Sequence, residues 1–458
     1  PSNSHDNSQN GATSNVYIDC YKLDGTKLWR VDLGPNIRAG AHYTQYLVYD
    51  FDGDGKAEMA VKTAPGTKDG KGNNVILGND DPTKKYANSN GHVISGPEYL
   101  TVFDGQTGAE RATVYYEPKR DILTGSQWGD CETVTRNDNY NRPERYLACV
   151  AYLDGDNATP SIVMCRGYYS AAYVCAWKFD GTKLTKKWMH ESTTKGAGLY
   201  GEGAHSITVG DVDNDGCDEI IFGSAALDHD GSLLHRTHGG HGDALHLGDF
   251  CPDRPGLEVF MVHEETNTAF PFDASLRDAK TGEIIWSAKN SKNDIGRGIA
   301  GAFIPSIRGY QFQFADWTNT YTTTDNGKTV TKARNGVFDI DGNRLSESAS
   351  DMNFRIYWDG DLFDETFDGR YSSTNGGCSP RVGKPKSDYT KGWDYTSIGS
   401  GLSVRSCNTT KATPNLQADI FGDWREEIIL WDGDNSSDLL IFSTTIPSKY
   451  RIPTLMED

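Results

Sequence analysis

The first residues with chemical potential form an acidic loop of the pattern D-x-D-x-D-G-x-x-E, which occurs twice in the sequence. The two copies are Asp50, Asp52, Asp54 and Glu58 with the carbonyl of Lys56, and Asp211, Asp213, Asp215 and Glu219 with the carbonyl of Cys217. Calcium takes roughly six to eight oxygen ligands in a flexible geometry, which such a loop supplies. Three adjacent uncompensated aspartates would repel one another, so a bound ion explains the pattern better than a solvated turn. We therefore predict a calcium ion at each loop.

Two weaker versions of the same loop run from Asp249 to Glu258 and from Asp419 to Glu427. For these two, a calcium site with Asp249 and Glu258 as ligands and a solvated acidic turn remain equal alternatives. In all four copies β-branched and aliphatic residues typical of strands follow the loop, which excludes an EF-hand. Weak calcium sites are typical of extracellular modules, so we expect several calcium ions in a secreted protein.

A second group of residues suits acid–base chemistry. Eight of the eleven histidines lie at or after His190, and His205 and His241 are flanked by glycines, with Asp243 and Glu264 nearby in sequence. Glycine lets backbone and imidazole approach a ligand closely. Two cations have comparable settings: Arg297 lies between two glycines, and Lys411 precedes the Asp419 loop. Each residue alone would be interpreted as structural, but together they predict an active site.

Short strands must position these residues, because helical periodicity is nearly absent. Asp-Gly or Thr-Gly turns join pairs of short strands, a pattern typical of hairpins. The turn aspartates are at positions 24, 104, 180, 230, 278 and 341. This repeat predicts six blades, with a seventh and an eighth in the less regular regions 115–170 and 345–435. We therefore expect an all-β chain in which residues 1–458 form one eight-bladed β-propeller with calcium-binding loops.

Composition restricts the partners. The chain has 458 residues, with 64 acidic and 45 basic side chains and a net charge of −19. This charge argues against binding to nucleic acid or anionic membranes, and no apolar run approaches the roughly 20 residues of a membrane span. Aromatic residues make up 11%, which predicts a packed core rather than disorder. The nine cysteines lack zinc-site spacing, so we interpret them as small buried apolar residues.

At these residues the sequence resembles rhamnogalacturonan lyases of polysaccharide lyase family 11. The matching stretches are DLGPNIRAGAHYTQYLVYDFDGDGKAEMAVKTAPGT, SGPEYLTVFDGQTGAE, SIVMCRGYY, GHGDALHLGDF, DIGRGIAG and ADIFGDWREEI. The resemblance extends from near Pro1 to Asp458. It implies an eight-bladed β-propeller with several calcium ions that acts as a monomer on the rhamnogalacturonan I backbone of pectin, cleaving it by β-elimination at galacturonic acid.

Carried over position by position, the resemblance implies that His205, His241, Asp243 and Glu264 line the cleft and hold calcium at the substrate carboxylate. It further implies that Arg297 stabilises developing charge and that Lys411 is the base. The short loop from Thr266 to Ser275 favours an open cleft and endo action. Family members read N-G-T-K where this chain has N-T-T-K at 408–411, and they carry further sequence at both ends, so we expect terminal family segments to be missing here.

Two other functions stay open on the sequence alone. A non-catalytic calcium-dependent carbohydrate-binding or adhesion propeller would explain the acidic loops but not the grouped His, Arg and Lys residues. The segment from Asp278 to Trp286 resembles the tryptophan docking repeat of quinone-dependent dehydrogenases, although it occurs cleanly once. Release of an unsaturated product would separate a lyase from a binding protein.

Overall fold

The computed structural model describes residues 3–453 except 8, 124–141, 265–269, 290–294, 316–319, 326–327, 334, 370, 373–376 and 408–412. It forms two compact units, one of Pro1–His241 with Ala279–Gly282 and the other of Gly242–Asp278 with Glu283–Asp458. A 3-10 helical turn occupies Tyr389–Lys391. Among the described residues, no helix has the length and apolar character needed to cross a membrane.

The first unit contains three four-stranded antiparallel sheets, here called blades 1 to 3, and a two-stranded sheet that precedes them. The two-stranded sheet is β1 (Tyr17–Tyr21) and β2 (Lys27–Asp32); blade 1 is β3 (Tyr46–Tyr49), β4 (Glu58–Thr63), β5 (Tyr99–Asp104) and β6 (Glu110–Tyr115); blade 2 is β7 (Ala148–Ala151), β8 (Ser161–Arg166), β9 (Ala172–Phe179) and β10 (Leu184–Ser192); blade 3 is β11 (Thr208–Gly210), β12 (Glu219–Phe222), β13 (Ala225–Leu227) and β14 (Leu233–Arg236). The first strands β3, β7 and β11 contact one another in chain order.

The second unit contains blades 4 to 7 and two short two-stranded sheets. Blade 4 is β15 (Ala244–Gly248), β16 (Glu258–Val262), β17 (Phe272–Asp278) and β18 (Ile284–Lys289); blade 5 is β19 (Gly298–Gly301), β20 (Gln311–Phe314), β23 (Gly336–Phe338) and β24 (Arg344–Ser346); blade 6 is β25 (Phe354–Ile356), β26 (Glu365–Asp368), β29 (Arg381–Pro385) and β30 (Trp393–Ser397); blade 7 is β31 (Val404–Arg405), β32 (Leu416–Ala418), β33 (Glu427–Asp432) and β34 (Leu439–Phe442); the short sheets are β21 (Thr320–Asp325) with β22 (Lys328–Ala333), and β27 (Tyr371–Ser372) with β28 (Gly377–Cys378). In blade 7, β33 pairs with all three other strands.

The all-β prediction is confirmed, but the prediction of eight blades is wrong, because the described residues form a β-propeller of seven four-stranded blades. The repeat count assigned one blade to each Asp-Gly hairpin. The hairpin at Asp24 joins only β1 and β2, which pair with no further strand among the described residues. The described residues of region 115–170 form no blade of their own, since strands β7 and β8 complete the sheet of the Asp180 hairpin.

Each acidic loop joins two successive strands of a blade, and its last glutamate begins the second of these two strands. Glu58 and Glu219 are buried, and their carboxylates accept the backbone N–H groups of Phe51 (3.1 Å) and Val212 (2.8 Å). The glutamate belongs to the strand after the loop and binds a backbone N–H group at the start of the loop. The constant distance in sequence between the first aspartate and the glutamate therefore has a structural reason. The aspartates are left to point into the loop.

Tryptophans of the outer strands connect neighbouring sheets within each unit. The indole N–H of Trp29 donates to the carbonyl of Gly105 (2.8 Å), and that of Trp188 donates to the carbonyl of His229 (3.0 Å). Gly231 has a φ of +86°, and a Cβ there would lie 2.6 Å from the Trp188 ring. Trp286 lies against the turn glycine Gly342 in the same way, so the Asp278–Trp286 motif has a packing role.

Apolar side chains fill the space between successive blades of each unit. Val102 of blade 1 and Ile162 of blade 2 belong to one buried cluster, and Val163 and Ile220 belong to the next, between blades 2 and 3. Burial of each large aliphatic or aromatic side chain contributes roughly 1.5–3 kcal/mol. The loops at the strand ends are thereby held on a rigid framework.

Candidate functional site

Several of the residues predicted to do chemistry share one position in the repeat, shortly before the first strand of a blade. His205 precedes β11, Asp243 precedes β15 and Arg297 precedes β19, while His42 and Arg145, which the sequence analysis missed, precede β3 and β7. The acidic loops lie at the opposite ends of these first strands. Acid–base residues and candidate metal loops are therefore separated by the length of a strand.

In the first unit, side chains at this position pack with two tyrosines into a compact aromatic cluster around His205. Nδ1 of His205 lies 3.1 Å from the hydroxyl of Tyr168, and Nε2 lies 3.3 Å from the hydroxyl of Tyr169. Both tyrosines follow β8, in the R-G-Y-Y segment of the sequence. His205 and Tyr169 are half-buried, whereas Tyr168 is buried. The cluster thus presents an imidazole and a phenol to solvent.

His241 and Arg145 lie in the same cluster. His241 is 2% exposed, its ring stacks on Tyr168 with centroids 5.7 Å apart, and its Nδ1 lies 2.5 Å from the carbonyl oxygen of Gly203. Its ring centroid lies 4.8 Å from that of His205. The Arg145 guanidinium donates to the Tyr168 hydroxyl at 3.1 Å. Buried Arg145 and His241 therefore fix the rings that reach solvent.

His42 contacts this cluster on one side and Asp6 of the N-terminal segment on the other. Nδ1 of His42 lies 3.0 Å from Oδ2 of Asp6, and Nε2 lies 3.1 Å from Nη1 of Arg145. This arrangement fits a neutral ring that donates from Nδ1 and accepts at Nε2. Burial lowers the pKa of His42, Arg145 lowers it further, and the hydrogen bond to Asp6 opposes the shift.

The remaining predicted residues belong to the second unit. Arg297 is half-buried and donates to the carbonyl of Gly296 at 2.8 Å. Glu264 follows β16, whose Val262 pairs with Ala244 of β15, so Glu264 and Asp243 lie at the same end of blade 4. Lys411 lies outside the described residues.

In the first acidic loop, a guanidinium accompanies the carboxylates. Ligand oxygens of Asp50, Asp52 and Glu58 lie within 4.8 Å of one another. Arg111 contacts two of them, at 3.1 Å from Asp52 and 2.8 Å from Glu58. Asp50 accepts backbone N–H groups within the loop, including that of Gly53 at 2.7 Å. Asp54, also predicted as a ligand, is exposed.

In the second acidic loop the ammonium of Lys280 donates to the backbone carbonyl of Asp213 at 3.2 Å rather than to a carboxylate. Ligand oxygens of Asp211, Asp213 and Glu219 lie within 4.8 Å of one another, and within the described part of the chain no Lys or Arg side chain forms an ion pair with them or with Asp215. Oδ1 of Asp213 and Oε1 of Glu219 are buried without a hydrogen-bond partner among the described residues. Burial, together with Asp213 and Asp215, raises the pKa of Glu219 to about 7.

The two weaker loops each carry an arginine. Arg254 lies 3.4 Å from Glu258, and in the last loop Arg425 lies 2.7 Å from Asp423. Asp249 directly follows β15 and is exposed, whereas Glu258 is buried and accepts the N–H of Phe250 at 2.9 Å. A fixed cation next to these loops reduces their need for a metal ion.

Sequence analysis missed a further loop of this kind in blade 6. Asp359, Asp361 and the buried Glu365 occupy the equivalent positions, and Glu365 accepts the N–H of Trp358 at 3.0 Å. The ammonium of Lys384 contacts all three carboxylates, at 2.7 Å from Asp361 and 3.3 Å from Glu365. The shorter spacing D-x-D-x-x-x-E was the signal available in the sequence. Here a lysine takes the place of an ion.

The donor sets indicate which sites suit calcium. Calcium prefers oxygen ligands, and the loop at Asp211–Glu219 offers buried carboxylate oxygens without partners. The imidazoles of His205 and His241 offer nitrogen, and both ring nitrogens of His205 already contact tyrosine hydroxyls. The acidic loops therefore fit calcium better than the two histidines do.

Comparison with known proteins gives one family. A family model described as "Rhamnogalacturonan lyase family 11, C-terminal domain" matches residues 1–458. The chain is 48% identical over 466 residues to "Rhamnogalacturonan endolyase YesW" of Bacillus subtilis (strain 168), covering 100% of this chain and 66% of that protein. It is 47% identical over 466 residues to "Rhamnogalacturonan exolyase YesX" of the same organism, covering 100% of this chain and 70% of that protein. The chain thus spans about two thirds of the length of these curated relatives.

Solved structures agree with this result. The crystal structure of YesW matches with a TM-score of 0.85 at 47% identity, and that of exotype YesX with 0.87 at 45% identity. A Bacillus licheniformis structure titled "Rhamnogalacturonan Lyase PL11" matches with a TM-score of 0.85 at 47% identity. Each match covers 100% of this chain and 70% of the other.

Proposed function

Because this chain belongs to rhamnogalacturonan lyase family 11, we propose that it cleaves the rhamnogalacturonan I backbone of pectin by β-elimination at galacturonic acid. The observation that carries the proposal is the family match over residues 1–458, with two curated relatives named as rhamnogalacturonan lyases at 48% and 47% identity. A polysaccharide of this kind lies outside the cell, so the proposal places the protein there, in agreement with the secretion expected from calcium loops. We further propose that it acts as a monomer.

β-Elimination removes the C5 proton of the uronate and expels the sugar linked at O4. Negative charge increases next to the carboxylate, so cations and hydrogen-bond donors at that position stabilise the transition state. Arg297 is proposed to donate to this carboxylate. A calcium ion near Asp243 and Glu264 would supply further positive charge there, as the family resemblance implies.

Proton transfer is assigned to two residues. Lys411 is proposed as the base, which requires a neutral amine and hence a pKa lowered by nearby cations. His205 is proposed as the acid that protonates the leaving oxygen, because it is half-buried and its Nε2 lies 3.3 Å from the Tyr169 hydroxyl. His241 and Arg145 are positioning residues in this proposal, since both are buried against the same rings.

The action pattern is proposed to be endo. The loop between Glu264 and β17 is short in sequence, which favours a cleft open at both ends. One curated relative is an endolyase and the other an exolyase at nearly equal identity, so the product distribution must be measured. Endo action gives an early fall in viscosity and a broad range of oligosaccharides, whereas exo action releases small products from the start.

Release of unsaturated uronate from rhamnogalacturonan I, followed by its ultraviolet absorbance, tests the proposal. The calcium-loaded protein should release product from this substrate and not from homogalacturonan. Lys411→Ala should reduce the rate by at least about 100-fold, whereas Lys449→Ala, at an exposed lysine, should retain it. Near-normal rates in Lys411→Ala would contradict the base assignment, and full activity after chelation would remove calcium from the account. Binding without any product would indicate a carbohydrate-binding protein instead.

A further inference from the structure

Two side chains that a calcium site does not use lie at the acidic loop of blade 3, the thiol of Cys217 within the loop and the imidazole of His229 in the turn after β13. Ligand atoms of Asp215, Cys217 and His229 lie within 4.8 Å of one another, as do those of Glu219, Asp228 and His229. Nδ1 of His229 lies 2.7 Å from Oδ1 of Asp228 and 3.3 Å from Oδ2 of Asp215. His229 is therefore shared by two groups of ligand atoms in the first unit, one with a thiol and a carboxylate and one with two carboxylates.

Two ligand-type atoms here are buried without a hydrogen-bond partner among the described residues. They are Oδ1 of Asp213 and Oε1 of Glu219. The Glu219 side chain is fully buried, and leaving a buried polar atom unsatisfied costs roughly 1–3 kcal/mol. A cation that accepts their lone pairs would remove this cost. The convergence thus points to bound metal rather than to a solvated acidic turn.

The other loops show that this feature is particular to blade 3. In the first loop the position of Cys217 is taken by the exposed Lys56, and Arg111 contacts Asp52 and Glu58. In blade 6, Lys384 contacts the equivalent carboxylates. Within the described residues, the blade 3 loop has no lysine or arginine ion pair. The ammonium of Lys280 donates to the backbone carbonyl of Asp213 at 3.2 Å rather than to a carboxylate, and the thiol and imidazole beside the loop favour a metal other than calcium.

We propose that Cys217, His229 and Asp215, with Asp228, bind a divalent ion of the zinc class next to the calcium position of this loop. Zinc takes thiolate, imidazole and carboxylate in a four-coordinate site, whereas calcium takes oxygen. The thiol releases its proton to solvent when the metal binds. The sequence lacked a zinc signature because β12 and β13 separate Cys217 from His229. The inference does not depend on the proposed lyase activity.

Cobalt(II) reports the ligands directly. The full chain is stripped of metal, reloaded with saturating calcium and titrated with Co²⁺. The expected result is one Co²⁺ per chain with a near-ultraviolet thiolate-to-cobalt charge-transfer band that zinc abolishes. Cys217→Ser should remove the band and weaken Zn²⁺ binding by at least about tenfold. Cys20→Ser, which removes another partly buried cysteine of the same unit, should change neither.

His229→Ala provides an independent test, with circular dichroism used to check that each variant folds. It retains the thiolate, so the band should persist while Zn²⁺ affinity falls by at least about tenfold. The proposal is overturned if the parent protein shows no charge-transfer band, or if Cys217→Ser shows the same one. Equal Zn²⁺ affinity in the parent and both variants, or loss of zinc on addition of calcium, would equally overturn it.

Discussion

Oδ2 of Asp6 lies 3.0 Å from Nδ1 of His42, and the opposite nitrogen of that ring lies 3.1 Å from the guanidinium of Arg145. The side-chain carboxylate of Asp6 thus orients the imidazole of His42, which in turn contacts Arg145 of the aromatic cluster. Protonation of His42 would place a second positive charge against Arg145. The cluster geometry is therefore expected to depend on the protonation state of His42.

Asp6→Asn is predicted to move the acid limb of the pH–rate profile to lower pH. The Asp6 hydrogen bond raises the pKa of His42 against the lowering effects of burial and Arg145. Removing the carboxylate therefore lowers that pKa further, and the ring stays neutral at more acidic pH. Asp19→Asn, which breaks a surface pair with Arg30, serves as the control. An acid limb that does not move, or that moves to higher pH, would contradict a positioning role for His42.

Lys384→Ala is predicted to make blade 6 sensitive to calcium. Without the ammonium, Asp359, Asp361 and Glu365 form an uncompensated cluster that matches the oxygen preference of calcium. In chelator, the variant should have a lower melting temperature than the parent. When calcium is added, the melting temperature of the variant should rise by more than that of the parent. Lys386→Ala, 4.0 Å from Asp394 at the surface, is the control. Equal calcium responses in the parent and Lys384→Ala would refute the idea that the Lys384 ammonium takes the place of a metal ion in this loop.

Glu98→Gln is predicted to destabilise the first unit strongly. Burial alone would raise the pKa of Glu98. The neighbouring cations Arg120, Arg166 and Lys62 nevertheless hold this pKa well below its usual range. Removing one charge from a buried network costs about 3–5 kcal/mol. Urea unfolding should show this loss, whereas Arg308→Ala, which breaks the exposed pair with Asp253, should cost at most about 1 kcal/mol. Similar losses in both variants would contradict the account.

Glu219→Gln is predicted to reduce the stabilisation that calcium provides. Oε1 of Glu219 is buried without a hydrogen-bond partner among the described residues, so a bound ion should contribute most at this loop. The melting temperature of the parent should rise with calcium by more than that of the variant. Asp253→Asn, at an exposed aspartate outside the ligand set, should respond as the parent does. If the variant gains as much from calcium as the parent, the loop is not a main calcium site.

Local spacing was enough to predict the strands, the hairpins and the two strong acidic loops, because each depends on residues close in sequence. The blade count failed at the Asp24 hairpin and at β7 and β8, where strand pairing across long loops decides the sheet. His42 was missed for a related reason. Its partner Arg145 is 103 residues away, and a single histidine before a strand has no distinguishing local pattern.

The mass of the products formed from rhamnogalacturonan I by the calcium-loaded protein tests the central claim most directly. β-Elimination predicts oligosaccharides that end in an unsaturated galacturonate and are each lighter by one water than the corresponding hydrolysis products. Saturated products, or no cleavage by protein shown to be folded and loaded with calcium, would contradict the assignment of this chain as a lyase.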